Sequence, residues 1–468
     1  MPLLKSSLKD PADTKSYRAI AGSSTLLMLF DKLVLKLWGD KLASGSLQMG
    51  YKRGSSTAQC SYMVMETINN FLDHGSHPIL VALDMTMAFD MCKFSVLFTK
   101  IEPKLPAVVT RILIHAYEKQ YAWVRWGSRN SSEFRILNGT RQGSVLSPAL
   151  FTVYVQELLD RLQGLGAGCH IGATFMGAVA WADDFLLTAQ SWGAMQQMLD
   201  VASSYAAEVG LKFSTDPDPV KSKSKAVFMV GRKKNLAKPA PLFLSGKALP
   251  YVPHATHLGH EFHESGKMEM DTRMRRGAYI GRSLEVQDAF SFAAPAETLG
   301  AVKLYCCDLY GGMLANLGGQ PATQLMNCWG TTVKDVWRVP RPTHRVYARW
   351  LGSGFSSIRE DLLSRWVKFF QSLVNGPSLE VAILARVAAA DMRTTTAQNN
   401  RFIYNLTGLD ATAAQVRTEL RQREPALTEA ESRTAGLICQ ALQVRQAMYL
   451  EGLSTDDITA EIDTMCVS

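Results

Sequence analysis

The sequence predicts an α+β fold, in which a small sheet with a split β-α-β order precedes a long helical region. Four apolar runs have the length and composition of strands, and they lie at 78–83, 178–182, 185–187 and 226–230. Apolar residues at helical spacing separate the first run from the second and the third from the fourth. This order of strand, helix, strand, strand, helix and strand is that of a split β-α-β sheet. Beyond a hairpin pattern at 242–249 the chain becomes mostly helical.

The length of the chain predicts several subdomains, and its charge indicates the kind of partner it binds. With 468 residues, 47% of them hydrophobic, the chain can bury a sizeable core, and we expect two or three subdomains. The formal net charge is +8, and residues 407–468 hold five Arg against ten Asp and Glu, so residues 1–406 carry about +13. A basic body with an acidic C-terminal segment suits a polyanion such as nucleic acid, the alternative being an ordinary basic protein.

Cysteine spacing and hydropathy indicate the compartment. The eight cysteines show neither Cys-x-x-Cys nor paired His spacing, which favours free thiols in a reducing compartment over disulfides or a zinc site. No run reaches the ~18 apolar residues of a membrane span, and the N-terminus lacks the apolar core of a signal peptide. We therefore expect an intracellular protein, in the nucleus, the cytoplasm or both, with no membrane partner.

The remaining elements follow from local patterns. An amphipathic helix is predicted at 26–42, helical patterns fill 92–119, and 124–137 has the pattern of a hairpin. Ser147 and Pro148 are expected to start the next helix, as N-cap and first helical residue, and Gly210 to end the one after it. Further helices are predicted near 267–290, 295–316, 321–337, 356–374, 378–393, 411–425 and 427–450.

Three aspartates stand where the apolar runs stop. Asp84 ends the first run, and Asp183 and Asp184 lie between the second and the third. Carboxylates at a sheet edge can converge on a pair of Mg²⁺ ions, which prefer oxygen ligands and clamp the attacking and leaving oxygens of a phosphoryl transfer. An adjacent Asp-Asp pair alone is more often a solvated turn, so the neighbouring motifs decide between the two interpretations.

Two neighbouring motifs support a nucleotide site. Phe89 lies five positions after Asp84, where an aromatic ring can form the floor of a sugar pocket and exclude a 2′-hydroxyl. The alternative is that Phe89 is a core residue at the start of a helix. Residues 139–148 bring Arg141, Gln142 and Gly143 to a helix N-terminus, which favours anions, the alternative being a plain connecting loop.

A basic segment follows the Asp183 motif. No acid occurs between Val220 and Lys238, although this stretch is rich in lysine. Such a run is usually a solvated loop, but beside a nucleotide site contact with phosphates becomes the better interpretation. A lysine near an incoming triphosphate can act as general acid for the leaving pyrophosphate.

In order along the chain, these segments resemble the successive motifs of reverse transcriptases. The matching stretches are Asp84-x4-Phe89-Asp90, Arg141-Gln142-Gly143-Ser144-x2-Ser147-Pro148, Ala182-Asp183-Asp184, Gly210-Leu211-Lys212 with Lys221-Ser222, and Leu258-Gly259-His260. Upstream, residues 16–20 and 48–57 are similar to finger motifs of the LINE-type, non-long-terminal-repeat retrotransposon branch. The helical remainder resembles the thumb and C-terminal extension of such polymerases, with weaker motif support.

The resemblance implies a right-hand polymerase fold and its activity. Fingers and palm would occupy residues 1–265, a helical thumb 266–340, and an all-α C-terminal extension 341–468. The implied activity is RNA-directed DNA polymerisation, in which dNTPs are added to a DNA primer 3′-hydroxyl on an RNA template. Two Mg²⁺ ions, with Mn²⁺ as an alternative, are the implied cofactors.

The resemblance also implies roles for the acids and for the nucleotide pocket. Asp84 and Asp183 would hold the two ions and Asp184 would support the same site. Phe89 would be the sugar gate. The template and nucleotide pocket would be shaped by Arg141, Gln142 and Gly143.

Basic residues and a second turn complete the implied site. Lys5 and Arg18 would reach the triphosphate from the fingers. Lys221 would be the later lysine, with Lys223 as a competitor because the insertion at 216–219 shifts the spacing. Leu258, Gly259 and His260 would form the primer-grip turn leading into the thumb.

Departures from the family pattern leave alternatives. Trp181 stands where the family usually has Tyr or Phe, and the chain begins in mid-fingers with neither an endonuclease nor a ribonuclease H signature, as expected for a reading frame cut from a larger element. One alternative function is an RNA-dependent RNA polymerase, against which Phe89 argues. The other is a catalytically inactive fragment that only binds nucleic acid.

Overall fold

The chain folds into two compact units, here taken from a computed structural model. The structure describes residues 2–4, 10–13, 16–141, 143–216, 218–231, 236, 239–307, 309–343, 345–352, 354–407 and 412–422. The first unit comprises Met1–Lys267 and Gln371–Thr394, and the second comprises Met268–Phe370 and Thr395–Ser468.

The first unit begins with a strand pair and two helices. Its first elements are β1 (Pro2–Leu4), β2 (Tyr17–Ala19), α1 (Thr25–Trp38), a 3₁₀ turn (Gly39–Leu42) and α2 (Thr57–Asp73). Helix α2 starts with a capping box: the Ser56 hydroxyl accepts from the backbone N–H of Gln59, and the Gln59 side chain accepts from that of Ser56.

Fifteen further elements continue the first unit to the end of its main sheet. They are β3 (Ile79–Asp84), α3 (Ala88–Met91), α4 (Phe94–Ile101), α5 (Ala107–Glu118), β4 (Tyr121–Ala122), β5 (Arg125–Trp126), β6 (Arg129–Asn130), β7 (Phe134–Arg135), α6 (Ser147–Gly164), β8 (His170–Ile171), β9 (Thr174–Phe175), β10 (Ala178–Trp181), β11 (Asp184–Ala189), α7 (Trp192–Val209) and, as the last strand, β12 (Lys225–Phe228).

A four-stranded antiparallel sheet lies at the centre of this unit. Its strand order is β10-β11-β3-β12, which is the split β-α-β topology that the sequence predicts. Every residue of β3 except Asp84 is buried, and every residue of β11 except Asp184 is buried. Helices α2, α6 and α7 contact β10 or β11, which explains why these strands are apolar on both faces.

Two hairpins and a returning helix complete the first unit. The hairpins pair β13 (Phe243–Leu244) with β14 (Lys247–Ala248) and β15 (His254–His257) with β16 (His260–His263). Helix α13 (Leu379–Ala390) packs against α2, although its sequence lies more than a hundred residues beyond Lys267.

The second unit is helical throughout its described residues. It contains α8 (Glu269–Ala289), α9 (Pro295–Cys306), a 3₁₀ turn (Gly312–Leu314), α10 (Gln320–Val336), α11 (Arg345–Leu351), α14 (Thr395–Thr407) and α15 (Ala413–Gln422). Helix α12 (Ile358–Val374) begins in the second unit and its last four residues belong to the first.

Most predicted elements are present, and the differences are local. The N-cap of α6 is Leu146 and not Ser147, which lies inside the first turn with its hydroxyl buried. Helices α11 and α14 were not predicted, and the helix predicted at 295–316 ends at Cys306. The helix predicted at 427–450 lies outside the described residues. Residues 371–394, which we assigned to the C-terminal extension, group with the first unit.

Candidate active site

The three predicted carboxylates meet at one end of the main sheet. Asp84 is the last residue of β3 and Asp184 the first of β11, and the two are paired across the antiparallel ladder. Asp183 lies in the two-residue turn between β10 and β11, because Trp181 pairs with Asp184. Paired residues have Cβ atoms about 4.5–5.5 Å apart. Acids about a hundred residues apart in sequence are thus neighbours in the fold.

The electrostatics at this end of the sheet favour a cation. Burial, together with the neighbouring carboxylates of Asp183 and Asp84, raises the pKa of Asp184 to about 6, and Lys223 opposes this shift. Oxygen Oδ2 of Asp84 is buried and accepts no hydrogen bond. Carboxylates that raise one another's pKa are stabilised in their charged form by positive charge brought close to them.

Mg²⁺ suits this set of donors. Within the described part of the chain, no group of three or more His, Cys, Asp or Glu is arranged as a ready-made cage for a metal ion. Mg²⁺ usually binds through one or two carboxylates and completes its octahedron with waters and substrate phosphates, so a complete protein cage is not required. Oδ2 of Asp84, which accepts no hydrogen bond, and the adjacent carboxylates offer the oxygen ligands that Mg²⁺ and Mn²⁺ prefer.

Of the two competing lysines, Lys223 is the one beside the carboxylates. Its Nζ lies 3.4 Å from Asp84 Oδ2. Lys221 instead pairs with Asp218, three residues earlier, at 3.8 Å. The backbone N–H of Val220 donates to the Asp218 carboxylate, so these residues form a local turn. This turn keeps Lys221 next to Asp218. The geometry therefore favours Lys223 over Lys221, our first choice; the role itself remains a prediction.

Phe89 and the loop before α6 are hydrogen-bonded to each other. The Phe89 carbonyl accepts from the backbone N–H of Thr140 at 2.7 Å, and the Phe89 ring stacks on Phe151 of α6 with centroids 4.3 Å apart. Gly139 has a φ of +95°, and a Cβ there would lie 3.0 Å from the backbone of Asp90. Because the ring is only half-buried, its packing on Phe151 is compatible with a role at the nucleotide.

Arg141, which the resemblance implies would help to shape the template and nucleotide pocket, is turned into the core, and its role at that pocket remains a prediction. Its side chain is 5% exposed, forms an ion pair with Asp31 of α1 at 3.8 Å, and lies over the Tyr117 ring at 4.9 Å. The hydroxyl of Ser144 also donates to Asp31. Arg141 thus anchors the loop to α1 from within. Gly143, at a φ of +103°, is exposed.

The predicted finger residues are only partly described. Lys5 and Gln142 lie outside the described residues. Arg18 lies in β2, where its backbone pairs with Leu3 of β1, and its side chain is outside the described part. The roles of these three residues remain predictions.

The predicted primer-grip turn is a tight hairpin turn. Leu258 and Gly259, with φ of +49° and +75°, join β15 to β16, and His257 pairs with His260 across them. Two positive φ values are characteristic of a type I′ turn, which matches the twist of the flanking strands. His260 is buried. The turn is present, and its contact with a primer remains a prediction.

Two residues beside the carboxylates were not singled out by the sequence analysis. Gln48 is fully buried and bonds to the backbone of Ala182, next to Asp183. Burial raises the pKa of the Tyr51 phenol, and Asp183 raises it in the same direction, so Tyr51 also lies near the acids. The one feature of the sequence that could have indicated a role for Gln48 and Tyr51 is their position in the finger motif at 48–57.

An exposed hairpin displays aromatic and basic side chains together. It spans residues 121–135, in which β4 pairs with β7 and β5 with β6. Tyr121, Trp123 and Trp126 are each more than half exposed. Arg125 and Arg129 are exposed beside them. Exposed rings interleaved with arginines form a surface suited to single-stranded nucleic acid.

The sheet and its acids define a class of protein. An antiparallel sheet of this topology, with clustered carboxylates at one end, is the palm of a right-hand polymerase fold. Residues 5–231 match the reverse transcriptase (RNA-dependent DNA polymerase) family.

The chain is also similar to curated proteins of retrotransposable elements. The chain is 24% identical over 209 residues to the Pol polyprotein of the type-2 retrotransposable element R2DM of Drosophila melanogaster, covering 44% of this chain and 19% of that protein. It is 29% identical over 154 residues to the probable RNA-directed DNA polymerase of the Drosophila melanogaster transposon X-element, covering 32% and 17%. Residues 5–231 are therefore similar to reverse transcriptases, and the curated relatives of the chain are polymerases and polyproteins of retrotransposable elements.

Three further facts accompany these similarities. The matches span about a fifth of the length of these relatives. Among solved structures, telomerase from Candida tropicalis with a fragment of telomeric RNA is similar at 12% identity, with a TM-score of 0.38 over 77% of this chain and 56% of that chain. No described helix is long and apolar enough to cross a membrane.

Proposed function

We propose that this chain is an RNA-directed DNA polymerase that adds dNTPs to the 3′-hydroxyl of a DNA primer on an RNA template. The observation that carries the proposal is the convergence of Asp84, Asp183 and Asp184 at one end of the sheet, with Lys223 beside them. Relatives of the domain are named RNA-directed DNA polymerases, which supports the same reaction.

The acids would hold two divalent ions, Mg²⁺ or Mn²⁺. Asp84 and Asp183 are the proposed ligands, and Asp184 supports the same site. When bound, such ions supply the positive charge that stabilises the attacking and leaving oxygens of phosphoryl transfer. Asp184, whose pKa is raised to about 6, gains most from that charge because burial and its neighbours disfavour its ionised form.

Two side chains would act directly on the nucleotide. Lys223 would donate a proton from its ammonium to the pyrophosphate as the bond to the α-phosphorus breaks. Phe89 would exclude the 2′-hydroxyl of a ribonucleotide, with its ring held in place by stacking on Phe151 at 4.3 Å. The role of Phe89 is the one that distinguishes a DNA polymerase from an RNA polymerase with the same acids.

The nucleic-acid partners would bind through charge and stacking. Residues 1–406 carry about +13, which suits the phosphates of a template and primer. The hairpin at 121–135 offers Trp123 and Trp126 as platforms for unpaired bases, with Arg125 and Arg129 available to phosphates. A polymerase of retrotransposon origin would work inside the cell, in the nucleus, the cytoplasm or both.

Primer extension on an RNA template with Mg²⁺ tests the proposal. Asp183→Asn keeps the shape of the side chain and removes its charge, and we expect a loss of about 10³-fold or more, as for several kcal/mol of lost charge stabilisation. Asp200→Asn is the matched control, because Asp200 is an exposed acid on α7 that only accepts from Gln196.

Three outcomes would overturn all or part of the proposal. Wild-type protein that incorporates no more dNTP than Asp183→Asn would refute catalysis by these acids. If the same protein still binds template–primer, it is a nucleic-acid binder. A preference for NTPs over dNTPs in direct competition would identify an RNA polymerase.

A further inference from the structure

The turn that carries Asp183 is held by a segment more than a hundred residues away in sequence. Gln48 forms an isolated parallel bridge to Ala180 of β10. The backbone N–H of Ala180 donates to the Leu47 carbonyl at 2.9 Å, and that of Met49 donates to the Ala180 carbonyl at 2.8 Å. This pairing places Gln48 and Gly50 directly against the residues before Asp183.

The amide of Gln48 binds both backbone groups of Ala182. Its Oε1 accepts from the Ala182 N–H at 2.9 Å, and its Nε2 donates to the Ala182 carbonyl at 3.1 Å. The same Oε1 accepts from the Gly50 N–H at 3.0 Å. Gln48 is fully buried, so water does not compete for these bonds.

Gly50 lies directly against the backbone of the same turn. A Cβ at Gly50 would lie less than 3.0 Å from the backbone nitrogen of Ala182, a separation that real Cβ atoms do not show. Because the nearest atom is backbone, a larger residue at position 50 must displace the turn itself. The close approach therefore explains a glycine at a position whose φ is not positive.

The backbone conformation of Ala182 has to be held by neighbouring groups. Its φ is +58°, a left-handed conformation that residues with a Cβ disfavour. Residues in this region persist where their surroundings hold them there. The Gln48 amide, which bonds to both the N–H and the C=O of Ala182, supplies that constraint one residue from Asp183.

We propose that Gln48 is a positioning residue, which holds the Ala182 turn so that Asp183 stands in place to bind a divalent ion. Gln48 touches neither substrate nor metal in this proposal; it acts through Ala182, and Gly50 gives it room. The proposal rests on the proposed function, since it assigns a role relative to the same carboxylates.

Mn²⁺ binding to the full chain, measured by electron paramagnetic resonance with Mn²⁺ alone, tests this role. Gln48→Met keeps the length and removes all three hydrogen bonds. We expect it to weaken Mn²⁺ binding about 10- to 100-fold, as losing a group that orients a ligand does. Gly50→Ala displaces the same turn by a different route and should weaken binding in the same direction.

Gln59→Met is the matched control. Gln59 is also a buried glutamine, 4% exposed, whose Oε1 accepts from the Ser56 N–H and whose Nε2 donates to the Ser372 carbonyl. It lies at the start of α2 and not at the turn. Its replacement should lower the melting temperature as Gln48→Met does, with Mn²⁺ affinity unchanged.

The outcomes separate this proposal from the proposed function. If wild-type Mn²⁺ binding does not depend on Asp183, as judged by Asp183→Asn, the metal site itself is refuted and the role of Gln48 with it. If binding depends on Asp183 but Gln48→Met and Gly50→Ala bind as tightly as wild type, the positioning role alone is refuted. Equal weakening by Gln59→Met would show a general loss of packing and would also refute it. Should Gln48→Met not fold, Gly50→Ala decides.

Discussion

Replacing Lys223 separates two ways in which a cation beside Asp84 can assist catalysis. Its Nζ lies 3.4 Å from Asp84 Oδ2, and its side chain is 69% exposed. As a fixed charge in water-like surroundings, the lysine interacts with a unit charge at this distance by about 1.2 kcal/mol, which is at most about eightfold in rate when the interaction is gained only in the transition state. As a general acid for pyrophosphate it contributes about 10²- to 10⁴-fold. The two magnitudes are far enough apart to be resolved by one rate measurement.

Single-turnover incorporation of one dNTP is the appropriate assay, because it isolates chemistry from product release. We expect Lys223→Ala to lose about 10²-fold or more, in the range of a lost general acid. Lys223→Arg keeps the charge, but a guanidinium does not give up a proton near neutral pH, so the loss should persist. Lys221→Ala is the control, since its exposed pair with Asp218 contributes little.

Two results would refute this reasoning. A Lys223→Arg protein with the wild-type rate would show that charge alone matters and that no proton is donated from this position. A Lys221→Ala protein that loses more activity than Lys223→Ala would show that the lysine beside Asp84 is not the one that serves the nucleotide.

Three further predictions concern other parts of the first unit. Phe89→Ala should relax discrimination against ribonucleotides by about 10- to 200-fold in competition assays, and Phe151→Leu, which removes the ring on which Phe89 stacks, should relax it in the same direction but less. Burial, and secondarily His260, lowers the pKa of His257 to about 3. Near pH 6.5 the His257 imidazole therefore takes up a proton in the unfolded chain but not in the folded chain. Stability is therefore lost as pH falls through 6.5, by about 1.4 kcal/mol between pH 7.5 and 5.5, and urea denaturation of His257→Phe should lack this component. Trp126→Ala should weaken binding of single-stranded oligonucleotides by about 1–3 kcal/mol in fluorescence titrations, and an equal loss for duplex would argue against stacking.

The sheet and its acids could be predicted because their signals are local. Strands β3 and β11 are apolar on both faces and each meets an aspartate at the sheet end, so their limits are visible in the sequence. The choice between Lys221 and Lys223 could not be made, since it depends on how the inserted residues 216–219 turn.

Other features depend on contacts between distant parts of the chain. Gln48 bonds to Ala182 across 134 residues, and no periodicity marks a buried glutamine as a partner of a turn. Arg141 was expected to face a ligand because it is charged and lies in a glycine-rich loop. Its partner, Asp31, sits on a helix whose sequence shows only an amphipathic pattern. Long-range polar pairs of this kind have no local signature.

The return of residues 371–394 to the first unit has a consequence for synthesis on the ribosome. Gln59 donates to the carbonyl of Ser372, and Ser46 donates to Glu380, so partners of early residues are translated late. The 103 residues 268–370 must be made in between, which takes roughly 5–20 s at typical elongation rates. During that interval α13 has not yet been synthesised, so the surface of α2 that α13 later covers is accessible to chaperones. The first unit is the earlier to emerge and yet is completed only after most of the second has been translated.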